Sequence, residues 1–443
     1  MRTIPRPDHQ ISRKQISPNA LKVLYRLNKA GYQAYLVGGG VRDILLGKAP
    51  KDFDIATDAT PEQIKALFSN CRLIGRRFRL AHIHFGREII ETATFRASHK
   101  EGSTADQASS DESGMIRRDN VWGNLDDDAE RRDFTINGLY YNIDDFSVID
   151  FSNGVEDLKA KKIRMIGDPE TRYREDPVRM LRAARFAAKL DFEIEPNTAT
   201  CIPSLATLLE DIPSARLFEE FLKLFFSGHA AASFEQLSRF GLFAVLFPQT
   251  ADCLKDPEHG EGYRKLIHQA CLNTDSRIKN DQPVTPAFLM AVILWPAIQR
   301  AHDHQLNKGT EAHIAEHNAI NDVLEQQLSR ISIPKRFSLP TREMWSLQFR
   351  LHKRQGRRAW RLFEHPRFRA AYDILLLRKE SGEDCAELTD WWTEFQTGGT
   401  EEKSKMVRQL GGPKKRRPRR RRKPSGKSSG AAEQPTSDQG SFE

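Results

Sequence analysis

Apolar positions in the first third of the chain come in short, strand-length runs broken by turns, and from about residue 165 they recur at helical spacing. Ser17-Pro18 predicts the start of a helix in which Leu21, Leu24 and Leu27 recur on one face, ended by Gly31. Tyr35 to Val37 then read as an apolar strand that runs into Gly38, Gly39 and Gly40 and a short helix, VRDILL, stopped by Gly47. A second strand follows the turn KAPK, with Asp52 and Asp54 on one face and Phe53 and Ile55 on the other. Thr60-Pro61-Glu62 opens an amphipathic helix to about Phe68, and CRLIGRRFRLAHIHF and EIIETATF carry strand-like segments. The pattern predicts a mixed α/β head on a small sheet. Residues 98–116, polar and rich in Ser, Gly and Asp, are expected to be a mobile loop, either a simple insertion or a flap over substrate.

The segment EDPVRMLRAARFAAKL is a strong helix, with Asp176 at the cap and Pro177 in the first turn. Arg179, Arg182, Arg185 and Lys189 fill one stripe, and Met180, Leu181, Ala184, Ala187 and Ala188 lie opposite, so one face packs and the other presents four cations. Helical patterning continues with caps and breaks at Pro203, Pro213, Pro248, Pro283 and Pro296. The longest apolar run, Ala287 to Trp295, is too short to span a bilayer and reads as a buried helix with Thr285 as cap, closed by Pro296. Between 342 and 379, Arg350, Lys353, Arg354, Arg357, Arg358 and Arg361 interleave with Trp345, Phe349, Trp360 and Phe363. Such a surface can follow a nucleic-acid backbone and stack bases, or it can be buried aromatics under a charged skin.

Charge sharpens this picture. The formal net charge is +9, and residues 414–423, KKRRPRRRRK, carry as many positive charges, which leaves the rest of the chain neutral. This tail and the Ser/Gly/Gln-rich end after it are expected to be disordered and suited to holding nucleic-acid phosphates by counterion release. Candidate RNA-binding residues are therefore Arg354, Arg357, Arg358, Arg416, Arg417, Arg419 and Arg420, against the plainer reading of a solubility tail. Five scattered cysteines argue against a zinc site or a disulfide framework, and MRTIPRPDHQISRK lacks the apolar core of a signal peptide, so a cytoplasmic setting is expected.

The chemistry concentrates early. Two aspartates roughly 7 Å apart along one strand face, Asp52 and Asp54, can share hard cations at a phosphate, the carboxylate half of a two-metal transfer site. The glycine turn leaves room for a phosphate against backbone amides, and Arg42 can add a charged fork. In ERRDFTINGLYYN, Asp133 and Asn137 share a face in helix or strand, which makes Asp133 a candidate third carboxylate and Arg132 a triphosphate contact, although a surface ion pair is the simpler role for each. Glu91, on EIIETATF, competes as third carboxylate. Asp126 and Asp128 repeat the Asp-x-Asp spacing as a decoy, and His302-Asp303 sits in a polar setting that does not favour a metal.

Taken in order, LVGGGVRD, KDFDIAT, RRDFTING and REDPVRMLRAARF resemble the bacterial class II nucleotidyltransferases, which comprise tRNA CCA-adding enzymes and poly(A) polymerases. The resemblance implies an α+β nucleotidyltransferase head of polymerase-beta-like fold at 1–165. An all-α neck at 166–228 and body at 229–400 would follow, then a disordered basic tail at 401–443. It assigns metal binding to Asp52 and Asp54, completion of the active site to Asp133, and nucleotide contacts to Gly38, Gly39, Arg42, Arg132, Arg182 and Arg185. Asp176 and Arg179 match the pair that reads the incoming base in CCA-adding relatives. LIGRRFRLAHI and RRDNVWGNL resemble the poly(A) polymerase branch, which implies template-independent transfer of AMP from ATP to RNA 3′ ends, with Mg²⁺ or Mn²⁺ as cofactor, promoting RNA turnover alongside RNA-decay proteins. CCA addition to tRNA and a non-catalytic RNA-binding role are the alternatives.

Overall fold

The computed structural model describes residues 1–75, 79–97, 108–110, 116–119 and 121–410. The basic segment with Arg416, Arg417, Arg419 and Arg420 lies outside these residues, as does most of 98–116. The two described pieces of that stretch, Ala108–Ser110 and Ile116–Asp119, pair as antiparallel strands, so it is not wholly a loop.

The head is one eight-stranded sheet built from β1 (Arg2–Ile4), β2 (Ala34–Val37), β3 (Asp54–Thr57), β4 (Cys71–Ile74), β5 (Leu80–Phe85), β6 (Glu88–Thr94), β7 (Leu139–Asn142) and β8 (Val148–Asp150), in the order β1-β8-β7-β2-β3-β6-β5-β4. β3 and β6 run parallel and every other pair is antiparallel. Period-two alternation orients β3 as expected: Phe53 and Ile55 are buried in the core while Asp52 and Asp54 turn away from it. Helix α1 (Pro18–Lys29) buries Ala20, Val23, Leu24 and Leu27, with Leu21 only partly covered, and the Ser17 hydroxyl accepts from the Ala20 amide at 3.0 Å. At α3 (Pro61–Leu67), Thr60 and Gln63 close a capping box, each side chain accepting from the other's backbone amide.

From Pro169 onward the described chain is helical apart from the two-residue strand Glu193–Ile194, in keeping with the α+β head and all-α remainder, and the helix Thr400–Leu410 takes up the first ten residues expected to belong to the disordered tail because Val407 packs into the C-terminal apolar cluster. One apolar cluster runs without a gap from Ile4 in the sheet to Leu377 in the body, and a smaller one holds Leu347 to Val407 together. The apolar run does not end at Pro296. Its helix spans Pro286–Asn307 with Pro296 inside it, and Leu289 to Ile298 are all buried. A proline removes one backbone donor, but neighbouring helices pack this segment along its length and carry it through. The Thr285 cap is as expected, accepting from the Ala287 amide at 3.3 Å. No described helix is long and apolar enough to cross a membrane.

Candidate active site

β2 ends at Gly38, whose φ of +67° suits glycine, and α2 (Gly39–Leu45) begins at once, so two of the three glycines open the helix. A Cβ on Gly38 would sit 3.5 Å from Arg132 Nη1, and one on Gly40 would sit 3.5 Å from the Asp52 carbonyl, both ordinary contact distances. The turn therefore asks for glycine at Gly38 through its backbone conformation, with Arg132 and the Asp52 loop close at hand.

Asp52 is exposed and Asp54 half-buried at the edge of a cavity of about 540 Å³ that also meets Gly38, Gly39 and Lys51. The register places Asp54 directly beside Glu91 on β6. Burial, then Glu91, then Asp52 push the Asp54 carboxyl up to about 6, against the pull of Arg132. Strand pairing thus sets Glu91 beside Asp54, while Asp133 lines the same cavity as the aspartate pair.

Asp133 is spent on structure. Its Oδ1 accepts from the Phe134 amide at 2.8 Å and Asn137 Nδ2 at 3.1 Å, and its Oδ2 accepts from Arg182 Nε at 2.8 Å and from Arg182 Nη2. Burial alone would raise this carboxyl, but Arg182 and the hydrogen bonds hold it well below the usual carboxylate range. The segment is neither the helix nor the strand its spacing allowed. Helix α4 (Leu125–Arg131) ends, the backbone extends at Arg132 and Phe134, and a 3₁₀ turn at Thr135–Asn137 brings Asn137 back to Asp133. Asn137 in turn accepts from Arg42 Nη1 at 2.6 Å, and Arg42 Nε donates to Asp43 at 2.8 Å. Arg42 is thereby buried and committed, and its expected fork toward a phosphate is already closed on protein.

Arg132 is held differently. Its Nε donates to Tyr140 Oη at 2.8 Å and its Nη2 to Asp128 Oδ2 at 2.9 Å, with the guanidinium carbon 4.9 Å from the Tyr140 ring centroid. Nη1 remains beside Gly38. The decoy Asp128 is buried, 1 % exposed, and serves to fix Arg132. Sequence spacing alone does not separate such an anchor from a metal ligand.

The cation stripe of α7 (Val178–Leu190) faces this cavity and not open solvent. Arg179 donates to Glu175 and to the Arg172 carbonyl, Arg182 to Asp133, and Lys189 lies 3.7 Å from Asp43. Arg42, Arg182 and Arg185 all lie over the Phe186 ring, within 5.4 Å of its centroid. Burial, then the neighbouring Arg182, lower the Arg185 guanidinium to about 10. Asp176 stands between α6 (Pro169–Glu175) and α7 and does two jobs: Oδ1 accepts from the Val178 amide at 3.3 Å and Oδ2 from Arg216 at 2.8 Å. Arg216, Glu220 and Lys223, on the helix Ser214–Phe225, complete the far wall, which the sequence reading missed because nothing local ties them to the head. Cations outnumber carboxylates around the cavity, which favours a polyanion.

Elsewhere, a larger cleft of about 760 Å³ between the helices Gly260–Lys279 and Phe368–Glu380 has no pair of neighbouring aspartates, so its size does not make it the chemical centre. His302 lies against Phe349, ring centroids 4.3 Å apart, and 3.4 Å from Asp303, a local contact. Among the described residues no group of three or more His, Cys, Asp or Glu is already gathered as a metal site, and all five cysteines are free. Arg354, expected to contact RNA, donates to Glu387 at 2.8 Å and lies over Trp391, whereas Arg357, Arg358 and Arg361 are exposed and make no side-chain ion pair among the described residues.

Family models match most of the chain: poly A polymerase head domain at 34–164, probable RNA and SrmB-binding site of polymerase A at 191–254, and polymerase A arginine-rich C-terminus at 308–425. Poly(A) polymerase I of Salmonella typhi is 54 % identical over 416 residues, 93 % of this chain and 89 % of that one. This chain belongs to the poly(A) polymerase family. Poly(A) polymerase I of Haemophilus influenzae is 45 % identical over 90 % of this chain and 89 % of its own. A CCA-adding enzyme of Lactobacillus helveticus is 40 % identical, but over only 49 % of this chain and 52 % of that one. Among solved structures, a tRNA nucleotidyltransferase complexed with a primer tRNA and an incoming ATP analog shares the fold at a TM-score of 0.54 and 22 % identity, over 84 % of this chain and 98 % of that one. The protein is thus a nucleotidyltransferase enzyme of the poly(A) polymerase branch.

Proposed function

We propose that this polymerase transfers AMP from ATP to RNA 3′ ends without a template and releases pyrophosphate, with Asp52, Asp54 and Glu91 as the cation-holding carboxylates. The observation that carries this reading is that Asp52 and Asp54 stand together at one edge of a cation-lined cavity whose wall is a glycine turn, with Glu91 paired to Asp54 on the neighbouring strand. The donors fit Mg²⁺, or Mn²⁺: they are hard oxygens, with no thiolate or imidazole among them, and their mutual repulsion at Asp54 is what a divalent cation relieves. When bound, such cations activate the RNA 3′ hydroxyl and compensate charge on the departing pyrophosphate.

The chain's own residues do the positioning. Arg132 Nη1 and the uncovered backbone of Gly38 and Gly39 face the triphosphate. Arg182 and Arg185 add positive charge from α7, with Arg182 fixed by Asp133 and Arg42 bracing the turn through Asn137. Asp133 is in this reading a brace and not a metal ligand. Asp176, anchored by Arg216, and Arg179, anchored by Glu175, set the wall against which the base would rest. In-line transfer needs no covalent nucleophile, so positioning and charge carry the step. RNA would lie across Arg357 and Arg358. An added A tract gives decay enzymes an unstructured foothold, which supports a role in RNA turnover in the cytoplasm.

The test is extension of an unstructured 5′-labelled RNA, and separately of a tRNA lacking its 3′ end, with Mg²⁺ and each nucleoside triphosphate alone and together. A long ladder with ATP alone is expected. Stopping after three nucleotides on tRNA only would instead make this a CCA-adding enzyme. Asp52→Ala with Asp54→Ala should abolish extension while leaving RNA affinity within about twofold; retained affinity and retained activity would together remove the metal assignment.

A further inference from the structure

Asp54, Glu91 and His82 form one row across three strands, because Asp54 pairs with Glu91 in the parallel ladder and Glu91 pairs with His82 in the antiparallel one. Residues paired across neighbouring strands share a face, so all three side chains stand on the side of the sheet that bears the site. Ile55, Ala81, Ile83 and Ile90, the neighbours on the opposite face, are all buried in the core and fix that register.

His82 Nε2 lies 3.4 Å from Glu91 Oε1. The imidazole side chain is 17 % exposed and the carboxylate 50 %, so the ring is the rigid partner and the carboxylate the loose one. Nε2 is buried without a hydrogen bond of normal length, and the His84 ring sits edge-on to the His82 ring at 6.3 Å. A buried ring nitrogen whose one near neighbour is a carboxylate is short of a partner, and closing the 3.4 Å gap satisfies it. Glu91 needs such a restraint: a half-exposed glutamate has three rotatable bonds, and a cation shared with Asp54 requires one of its conformers.

We propose that His82 is the positioning residue of the third carboxylate, donating from Nε2 to Glu91 and holding it beside Asp54 so that Asp52, Asp54 and Glu91 can enclose a divalent cation. The inference rests on the assignment of those carboxylates made above. The role asked of the imidazole is hydrogen-bond donation, so a glutamine amide at the same place can replace it.

The experiment is Mn²⁺ binding to the full-length, substrate-free protein, followed by electron paramagnetic resonance of the free ion, with kcat, KM for ATP and the Mg²⁺ requirement measured beside it. His82→Ala is expected to weaken Mn²⁺ binding about tenfold, the usual size for loss of a residue that orients a metal ligand. It should also raise the Mg²⁺ needed for half-maximal rate and lower kcat with little change in KM for ATP. His82→Gln should restore Mn²⁺ affinity to within about twofold, and His82→Ala should add nothing to Glu91→Gln, because the histidine acts only through that carboxylate. Loss of affinity in Glu91→Gln with wild-type affinity in His82→Ala would overturn the positioning role, and so would additive losses in the double variant. Loss of the site in Asp52→Asn with Asp54→Asn but full affinity in Glu91→Gln would overturn it by removing the ligand it positions. Wild-type affinity in Asp52→Asn with Asp54→Asn would instead refute the underlying carboxylate assignment.

Discussion

At Asp133, four hydrogen bonds converge on one carboxylate, from Arg182 twice, Asn137 and the Phe134 amide. Removing one partner of a buried pair costs more than the pair contributes, because the other charge is left without compensation. Asp133→Asn should therefore lose roughly 2–3 kcal/mol, below the about 3–5 kcal/mol of fully buried broken pairs because the Arg182 side chain is 32 % exposed, and this is read from urea midpoints. The pH dependence has a definite sign. The folded-state carboxyl lies below its unfolded value of about 3.9, so its contribution is complete above that pH and is lost as pH falls toward the folded value. The wild-type protein should lose stability below about pH 4 more steeply than Asp133→Asn. Turnover of the variant should fall on the order of a hundredfold through displacement of Arg182, with the Mg²⁺ requirement unchanged, since in the proposed arrangement this carboxylate holds no cation. At this scale Asp52 and Asp54 were legible because their spacing is local and their alternation with Phe53 and Ile55 fixes their face. Glu91 was not separable from Asp133, because what distinguishes their surroundings is strand pairing and the supply of nearby guanidinium groups, neither of which is written in local spacing.

The turn that carries Asp133 and Asn137 is itself seated on a helix that no motif announced. Helix α5 (Gly154–Lys159) starts so close to the 3₁₀ turn that a Cβ on Gly154 would lie 2.2 Å from the Thr135 carbonyl oxygen, a contact with backbone that no rotamer relieves. Asp157 on the same helix accepts from the Thr135 hydroxyl at 2.7 Å. Gly154→Ala should thus push the turn off its seat, costing about 1–3 kcal/mol as overpacked sites do, and should reduce kcat although residue 154 meets no substrate. Equal loss of stability with undiminished kcat would show that the turn's position is not what sets Arg182. Glycine in ordinary backbone conformation marks close approach, a signal the sequence carries only when the approaching backbone is known. The elements themselves were legible where caps and periodicity coincide, as at Ser17, Thr60 and Thr285. They were misread where tertiary packing overrides a breaker, as at Pro296, which the surrounding helices carry through.

Across the whole molecule, the site joins parts far apart in sequence. Asp43, Arg42, Asn137, Asp133 and Arg182 form a continuous chain of hydrogen bonds from the glycine turn to α7, and Asp176 extends the wall to Arg216. One apolar cluster beneath it ties head to body as far as Leu377, and the helix Arg357–Phe363 sits on the second cluster, Leu347 to Val407, beyond it. That makes the exposed arginines of the helix Arg357–Phe363 informative, because their action can be separated from structure. Each phosphate contact to single-stranded RNA contributes about 0.7 to the slope of log affinity against log salt. Replacing Arg357, Arg358 and Arg361 with alanine should reduce that slope by about 2, measured by fluorescence anisotropy on an unstructured RNA across a KCl series, and should leave the melting temperature unchanged. Arg354→Ala should do the reverse. Its guanidinium is bound to Glu387 and packed on Trp391, so its loss loosens the C-terminal cluster and lowers the melting temperature while the salt slope stays put. The two outcomes divide a run of basic residues that looks uniform in sequence into cations spent on the fold and cations left for RNA, and an unchanged slope in the triple variant would move the RNA path off this face.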